Sequence, residues 1–347
     1  MDRLMDVAVL GTGRLARFRA KWLAAHPDVD RVWIGSRDLA RAESLAAEVG
    51  GRGGSISEVL EQKLGAAVVS SSTDQHAPQV SACLARGLPT LSEKPLAMTL
   101  EQTQALVNEV EAASGFLQVS FQRRFDPGFA ALRTAIASGS IGTVYHVRLN
   151  SHDHEPAEAR FIATSGGIFR DLLVHDFDIA RWLVGCEVQE VYAVGTVRKW
   201  QQYADAGDVD TANVLLTMGD GTPIMLSGTR HNPRGYDFRA EVFGSSDTLS
   251  AGLDWRTPLS SVEAQAPRLG DNPYHGFFDR FGSAFELEMQ AFMEAIQTGK
   301  PSPCSASDAL EALRIAVGCD RSFRLGQPVK LSDVLSDTSS ETGNDSN

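Results

Sequence analysis

Short apolar runs alternate with helix-length amphipathic stretches across the first third of the sequence, and that rhythm constrains the fold more than any single motif. Residues 7–10 read as a strand, followed by a glycine turn and a helix over 15–25. A second strand over 31–35 and a second helix over 39–49 repeat the pattern. Further strands are expected at 66–70, 89–92 and 116–121, with helices at 78–86 and 99–113. Such alternation implies a doubly wound parallel sheet with helices on both faces, a Rossmann-type domain ending near Arg123.

A length of 347 residues allows a second domain, and the pattern changes to supply one. After a helix over 127–138 come β-rich stretches at 144–153, 188–200, 211–218, 223–230 and 238–243, with Gly219-Asp220-Gly221 marking a hairpin. Consecutive strands without intervening helices imply a large, mostly antiparallel open sheet, an α+β arrangement. One face is expected to carry the 165–184 helix, the other to meet a partner subunit, as in a dimer or tetramer. Helices over 284–298 and 307–325 follow. The expected division is 1–123 for dinucleotide binding, 124–330 for substrate binding and oligomerisation, and 331–347 as a disordered polar tail.

The turn after the first strand, Gly11-Thr12-Gly13-Arg14-Leu15-Ala16, has the makings of a phosphate cradle. Gly11 permits the turn, Gly13 admits a pyrophosphate close to backbone, and Ala16 allows helix to meet strand. The anion would lie on the helix N-terminus. A plain tight turn would look the same. The end of the second strand bears on the choice of dinucleotide: Gly35-Ser36-Arg37-Asp38 offers a hydroxyl and a guanidinium, which suit a 2′-phosphate, so NADP is expected ahead of NAD. Asp38 complicates this, unless it caps the next helix.

Ser165-Gly166-Gly167-Ile168-Phe169-Arg170-Asp171-Leu172-Leu173-Val174-His175-Asp176-Phe177-Asp178 reads as a helix. At about 100° per residue, Asp171, His175 and Asp178 fall within a sector of roughly 60°, surrounded by apolar side chains. A thin polar stripe of this kind points to an enclosed wet pocket. A histidine oriented by an aspartate there suits proton transfer near neutral pH. A buried His–Asp pair that merely holds the helix in place fits the pattern equally.

A formal charge of −12 argues against nucleic acid or an anionic membrane as partner. No apolar run approaches bilayer length, and no secretory-type apolar core precedes the first strand. Cys83, Cys186, Cys304 and Cys319 lack metal-type spacing, so reduced thiols in a cytoplasmic protein are expected. Ser151-His152-Asp153-His154-Glu155 resembles a metal cluster, but no thiol or second histidine pair stands nearby. It reads as a loop at the substrate edge, with Asp153 the member to touch substrate, and no metal is expected. Glu286 and Glu288 read as part of an ordinary amphipathic helix.

The glycine fingerprint, Ser92-Glu93-Lys94-Pro95-Leu96 and the Gly-Gly-…-Asp-…-His-Asp-x-Asp segment occur in order over residues 5–330. Together they resemble the glucose–fructose oxidoreductase/inositol dehydrogenase/MocA-like (Gfo/Idh/MocA) family. Phe121-Gln122-Arg123-Arg124-Phe125-Asp126 and Arg234-Gly235-Tyr236-Asp237 look most like its bacterial inositol 2-dehydrogenases. The resemblance implies NAD(P)-dependent oxidation of a cyclic polyol, myo-inositol at carbon 2. Other sugars, scyllo-inositol, a 1,5-anhydrofructose-type reduction or a non-catalytic dinucleotide-binding regulator are the alternatives. It implies that Lys94, after a Lys94–Pro95 bond that is cis in relatives, relays the hydroxyl proton. Asp171 then orients His175, the general base. Arg123 and Tyr236 would line the substrate site, and Ser72, Thr73, His76 and Glu93 would flank the nicotinamide. Departures are Ser36-Arg37 where NAD-using relatives are acidic, and Leu172 where some inositol enzymes are polar. The scheme needs the Lys94 ammonium and the His175 imidazole to meet over one ring.

Overall fold

The strand–helix rhythm resolves into β1 (Met5–Leu10), α1 (Arg14–Ala25), β2 (Val29–Gly35), α2 (Leu39–Val49), β3 (Arg52–Gly54), α3 (Ile56–Leu60), β4 (Ala66–Val69), α4 (His76–Leu84), β5 (Thr90–Ser92), α5 (Leu100–Ala112) and β6 (Leu117–Val119). The computed structural model describes residues 4–265 and 270–334. The six strands pair in parallel in the order β3-β2-β1-β4-β5-β6. Strand order reverses between β1 and β4, the place where an open parallel sheet leaves a crevice at its carboxyl edge. Val7–Leu10 and Ala66–Val69 are wholly buried, as unbroken apolar runs in a sheet covered on both faces must be. β3 carries no apolar side chain, and α3 offers only a single turn of apolar spacing at Ile56, Val59 and Leu60. A reciprocal Ser55–Glu58 capping box starts α3.

The second sheet is built from β7 (Val144–His152), β8 (Val188–Thr196), β9 (Thr211–Met218), β10 (Pro223–Thr229), β11 (Asp237–Gly244), β12 (Thr248–Ala251) and β13 (Val329–Lys330), in the order β12-β11-β7-β10-β9-β8-β13. Every pairing is antiparallel except β7 with β10. β9 and β10 alternate buried and exposed residues, so one face is packed and the other open. The expected hairpin closes through Asp220, whose carboxylate accepts the Thr222 N–H. β8 stops at Thr196 rather than running to 200. The N–H groups of Arg198, Lys199 and Trp200 all turn onto the Asp210 carboxylate and leave the ladder.

Helices α6 (Pro127–Ala137), α7 (Ala159–Ser165), α8 (Gly167–Asp171), α9 (Val174–Val184) and α10 (Gln201–Asp205) accompany this sheet. The single helix expected over 165–184 is therefore two, with a third piece before it. Gly166 and Gly167 take φ of +83° and +86°, which ends α7. Between α8 and α9 the hydrogen bonds change register: Leu173 N–H reaches back five residues to Ile168, and Asp176 N–H reaches back only three to Leu173. The 100° projection does not carry across that step. Leu173 packs against Gly228 of β10, which seats the junction on the sheet.

Two long helices follow, α11 (Phe277–Thr298) with non-helical backbone at Phe281, and α12 (Ala306–Leu325). The chain divides into a unit of residues up to Phe121 plus Glu286–Leu310, and a unit of Gln122–Phe285 plus the chain from Glu311 onward. A contiguous division at 123/124 misses this return. Met289, Phe292 and Met293 share one apolar core with Val7, Val9, Leu23, Ile34 and Leu91. Leu331–Asp333 form a 3-10 turn with Leu331 and Val334 buried, where a polar tail was expected to begin. Residues 335–347 of that expected tail lie outside the described residues. Among the described residues no helix is long and apolar enough to cross a membrane.

Candidate functional site

In the first unit, the carboxyl ends of β1 and β2 open onto a cleft of about 320 Å³. Gly11, Thr12, Gly13, Ser36, Arg37 and Ser72 of the expected cofactor set line it. Gly11 adopts φ +128°, and a Cβ there would sit 2.2 Å from the Ser70 carbonyl oxygen, so only glycine fits. Gly13 caps α1 and makes no side-chain capping hydrogen bond to that helix end. An uncapped N-terminus beside a close-approach turn is the donor set a pyrophosphate needs, so these residues fit a dinucleotide. Arg14 and Leu15 open α1 itself.

At the β2 end, Asp38 accepts the Arg41 N–H and so caps α2, as its position suggested. The Ser36 hydroxyl accepts the Asp38 N–H, and Arg37 donates to the Ser72 hydroxyl at 3.3 Å. Arg41 lines the same cleft. It was not legible as a site residue, because nothing in a lone arginine of a helix's first turn says which way it faces. Thr73, by contrast, lines a separate groove with Met98 and Gln102.

The Lys94–Pro95 peptide is cis. His76 is buried, its Nδ1 2.8 Å from the Pro95 carbonyl and its Nε2 3.2 Å from that of Ser71. It ties two loops together rather than standing open to a cofactor. Glu93 is similarly committed. Its Oε1 accepts from Arg19 Nε at 2.9 Å and Nη2 at 2.6 Å. Arg19 Nη2 also reaches Ser120 Oγ at 2.7 Å and Glu288 Oε2 at 2.8 Å. Glu288 is thus no surface residue of an amphipathic helix. It is wholly buried, and that burial, opposed by Arg19 and reinforced by Glu93, pushes its carboxyl up to about 7.

In the second unit, Asp171 ends α8 and His175 is half-buried in the first turn of α9. The Asp171 carboxylate accepts from Arg230 Nη1 at 2.9 Å, and Asp153, one residue beyond β7, lies 3.6 Å from the same nitrogen. Burial raises the Asp153 carboxyl to about 6, against the pull of Arg230 and with help from Asp171. Arg230, buried at the end of β10, is the functional candidate the sequence did not disclose. Two carboxylates 18 residues apart gave no sign of sharing a guanidinium from a third segment.

Arg123 is buried and donates to Asp176 at 2.9 Å and to Ser151 at 3.1 Å, while its guanidinium lies 4.6 Å above the Phe238 ring. Its neighbour Arg124 binds Asp178 with two nitrogens, at 2.9 and 2.6 Å. Asp178 is therefore not part of an open polar stripe with Asp171 and His175. Tyr236 stacks on Phe238 at 3.9 Å, and burial with the Asp153 charge pushes its phenol well above the ordinary range. His152 faces the Ser227 hydroxyl at 3.1 Å and His154 the Asn232 carbonyl at 3.3 Å. Among the described residues no group of three or more histidines, cysteines or carboxylates could hold a metal ion.

The family model described as "Oxidoreductase family, NAD-binding Rossmann fold" matches residues 5–121, and the "GFO/IDH/MocA C-terminal domain" matches 129–250. The chain is 38% identical over 326 residues to the myo-inositol dehydrogenase Hyg17 of Streptomyces leeuwenhoekii, covering 93% of this chain and 98% of that protein. It is 33% identical to the scyllo-inositol 2-dehydrogenase (NAD(+)) of Bacillus subtilis, covering 95% and 97%. The crystal structure of a myo-inositol dehydrogenase from Corynebacterium glutamicum superposes with a TM-score of 0.87 at 31% identity, covering 94% and 99%.

Proposed function

The chain belongs to the GFO/IDH/MocA oxidoreductase family, and we propose that it oxidises a ring hydroxyl of a cyclic polyol, with myo-inositol at carbon 2 as the substrate. The observation that carries the substrate class is the Asp153–Arg230–Asp171 cluster. Two carboxylates held by one buried guanidinium can both accept from substrate hydroxyls, and similarity to the inositol dehydrogenases supports the ring.

A dinucleotide held by Gly11, Gly13, Ser36 and Arg37 would supply the hydride-acceptor chemistry for the carbon. The chain's own residues handle the proton. His175 removes it from the hydroxyl, and Asp171 keeps that imidazole oriented. Lys94 donates a hydrogen bond to the oxygen as negative charge develops there. Asp153 and Tyr236 bind the remaining hydroxyls, and Arg123 acts from behind by fixing Asp176 and the Phe238 ring. For the cofactor the finer choice is NADP, supported by Ser36, Arg37 and Arg41 in one cleft with Asp38 occupied as a cap. The four cysteines are free, which is consistent with the reducing cytoplasm we propose for the protein.

The decisive experiment follows nucleotide reduction at 340 nm with NADP⁺ and NAD⁺ across myo-inositol, scyllo-inositol and several aldoses. Turnover with myo-inositol and a tenfold preference for NADP⁺ are expected. A clear advantage for NAD⁺ sinks the cofactor proposal, and no turnover with any polyol sinks the substrate class in favour of a regulator. We also propose a homo-oligomer formed through the open face of the second sheet. Met225, Leu215 and Tyr192 are register neighbours across three strands there, with Leu215 and Met225 about half exposed. Leu215→Asp with Met225→Asp should give a monomer by sedimentation. An unchanged assembly would exclude this face.

A further inference from the structure

We propose that Arg19 is a positioning residue for Lys94: fixed on one side by Glu288 and Ser120, its guanidinium grips the Glu93 carboxylate and so immobilises the peptide carrying the lysine. The proposal rests on the reading of Lys94 given above.

Arg19 is among the largest wholly buried side chains of the described residues, with no exposed surface in the middle of α1. A guanidinium keeps its proton, so burying it is costly unless acceptors surround it. Neutralisation alone would need one carboxylate. Arg19 has two, together with the Ser120 hydroxyl and the Met289 sulfur at 3.1 Å. Glu288 is itself held by the Ser120 hydroxyl at 3.0 Å, so it fixes Arg19 from the α11 side. Both Nε and Nη2 then converge on one oxygen of Glu93.

Glu93 is next to Lys94, and its own N–H is bonded to the Val69 carbonyl at 2.9 Å. It is thus anchored through backbone to β4 and through side chain to α1. On the other side of the lysine, the Pro95 carbonyl is held by His76. The residues flanking Lys94 are tied down in both directions, an arrangement that serves orientation, where a displacement of about 1 Å can cost on the order of 100-fold in rate.

Arg19→Met alone would strand two buried carboxylates. At pH 8, where Glu288 is ionised, Arg19→Met with Glu288→Gln removes one positive and one negative charge together, so the local net charge is kept and the protein can fold. In that double variant kcat for myo-inositol should fall about 100-fold, with KM for polyol and nucleotide within about threefold. Hydrogen exchange of the peptide spanning 93–98 should quicken at least tenfold while β1 and β4 stay protected. Arg19→Lys, which keeps the charge and loses the fork, should recover part of both, and it reads the same quantities should the double variant not fold. Wild-type kcat in a folded variant, or unchanged exchange over 93–98, overturns the proposal. If the wild-type protein reduces neither nucleotide with any polyol, it is the functional reading that falls. The exchange measurement then still decides the role of Arg19.

Discussion

Replacing Glu288 by glutamine should make the protein's stability less dependent on pH, in a direction that follows from its surroundings. The Glu288 carboxyl has no exposed surface, and burial lifts it from its ordinary 4.5 to about 7. Between those values the folded chain holds a proton there that the unfolded chain releases, so stability falls as pH rises. The cost is absent below about pH 4.5 and complete above about pH 7. At 1.36 kcal/mol per pH unit this amounts to about 3 kcal/mol. Glutamine occupies the same space, still accepts from Arg19 and Ser120, and does not titrate. Urea unfolding of both proteins at pH 5 and pH 8 measures the difference. The variant should gain about 2 kcal/mol relative to wild type on going from the lower to the higher pH, since pH 5 already lies above the unfolded value. Parallel stabilities across that interval would show that Glu288 is ionised throughout, with Arg19 outweighing desolvation.

Other consequences are simpler to read. Lys94→Ala and His175→Ala should each lower kcat by about 10²–10⁴ while nucleotide affinity, measured by fluorescence titration, stays within about threefold. Undiminished turnover in either removes that residue from the chemistry. Arg230→Met leaves Asp153 and Asp171 facing each other without their shared cation, a loss of about 3–5 kcal/mol in thermal or urea unfolding. Adding Asp153→Asn should restore much of that stability; no recovery would show that the two carboxylates do not interact through Arg230.

Much of the first unit's sheet was legible because its longer strands announce themselves locally, whereas β3, Arg52-Gly53-Gly54, does not. Val7–Leu10 and Ala66–Val69 are apolar throughout, and α2 runs over the expected 39–49 with the expected Asp38 cap. The Gly11–Gly13 turn was legible for the same reason, since its two glycines lie two positions apart in sequence. What escaped notice depends on pairings between distant segments. Arg230 and Glu288 look like ordinary residues of a strand end and a helix until Asp171 and Arg19 are brought to them. The Asp171–His175 helix failed differently. Periodicity assumes an unbroken hydrogen-bond ladder, and the step at Leu172–Leu173 leaves no trace in the pattern of apolar residues.

The return of Glu286–Leu310 to the first unit has a consequence for how the protein is made. Met289, Phe292 and the partner carboxylate of Arg19 leave the ribosome long after β6, roughly 10–30 s later at ordinary elongation rates. During that interval the nascent nucleotide-binding half has an open apolar seam and a cation with half its counter-charge. Its consolidation is therefore timed by translation of the intervening sheet, and a ribosome that stalls between codons 122 and 285 leaves behind a half-built fold rather than a working module.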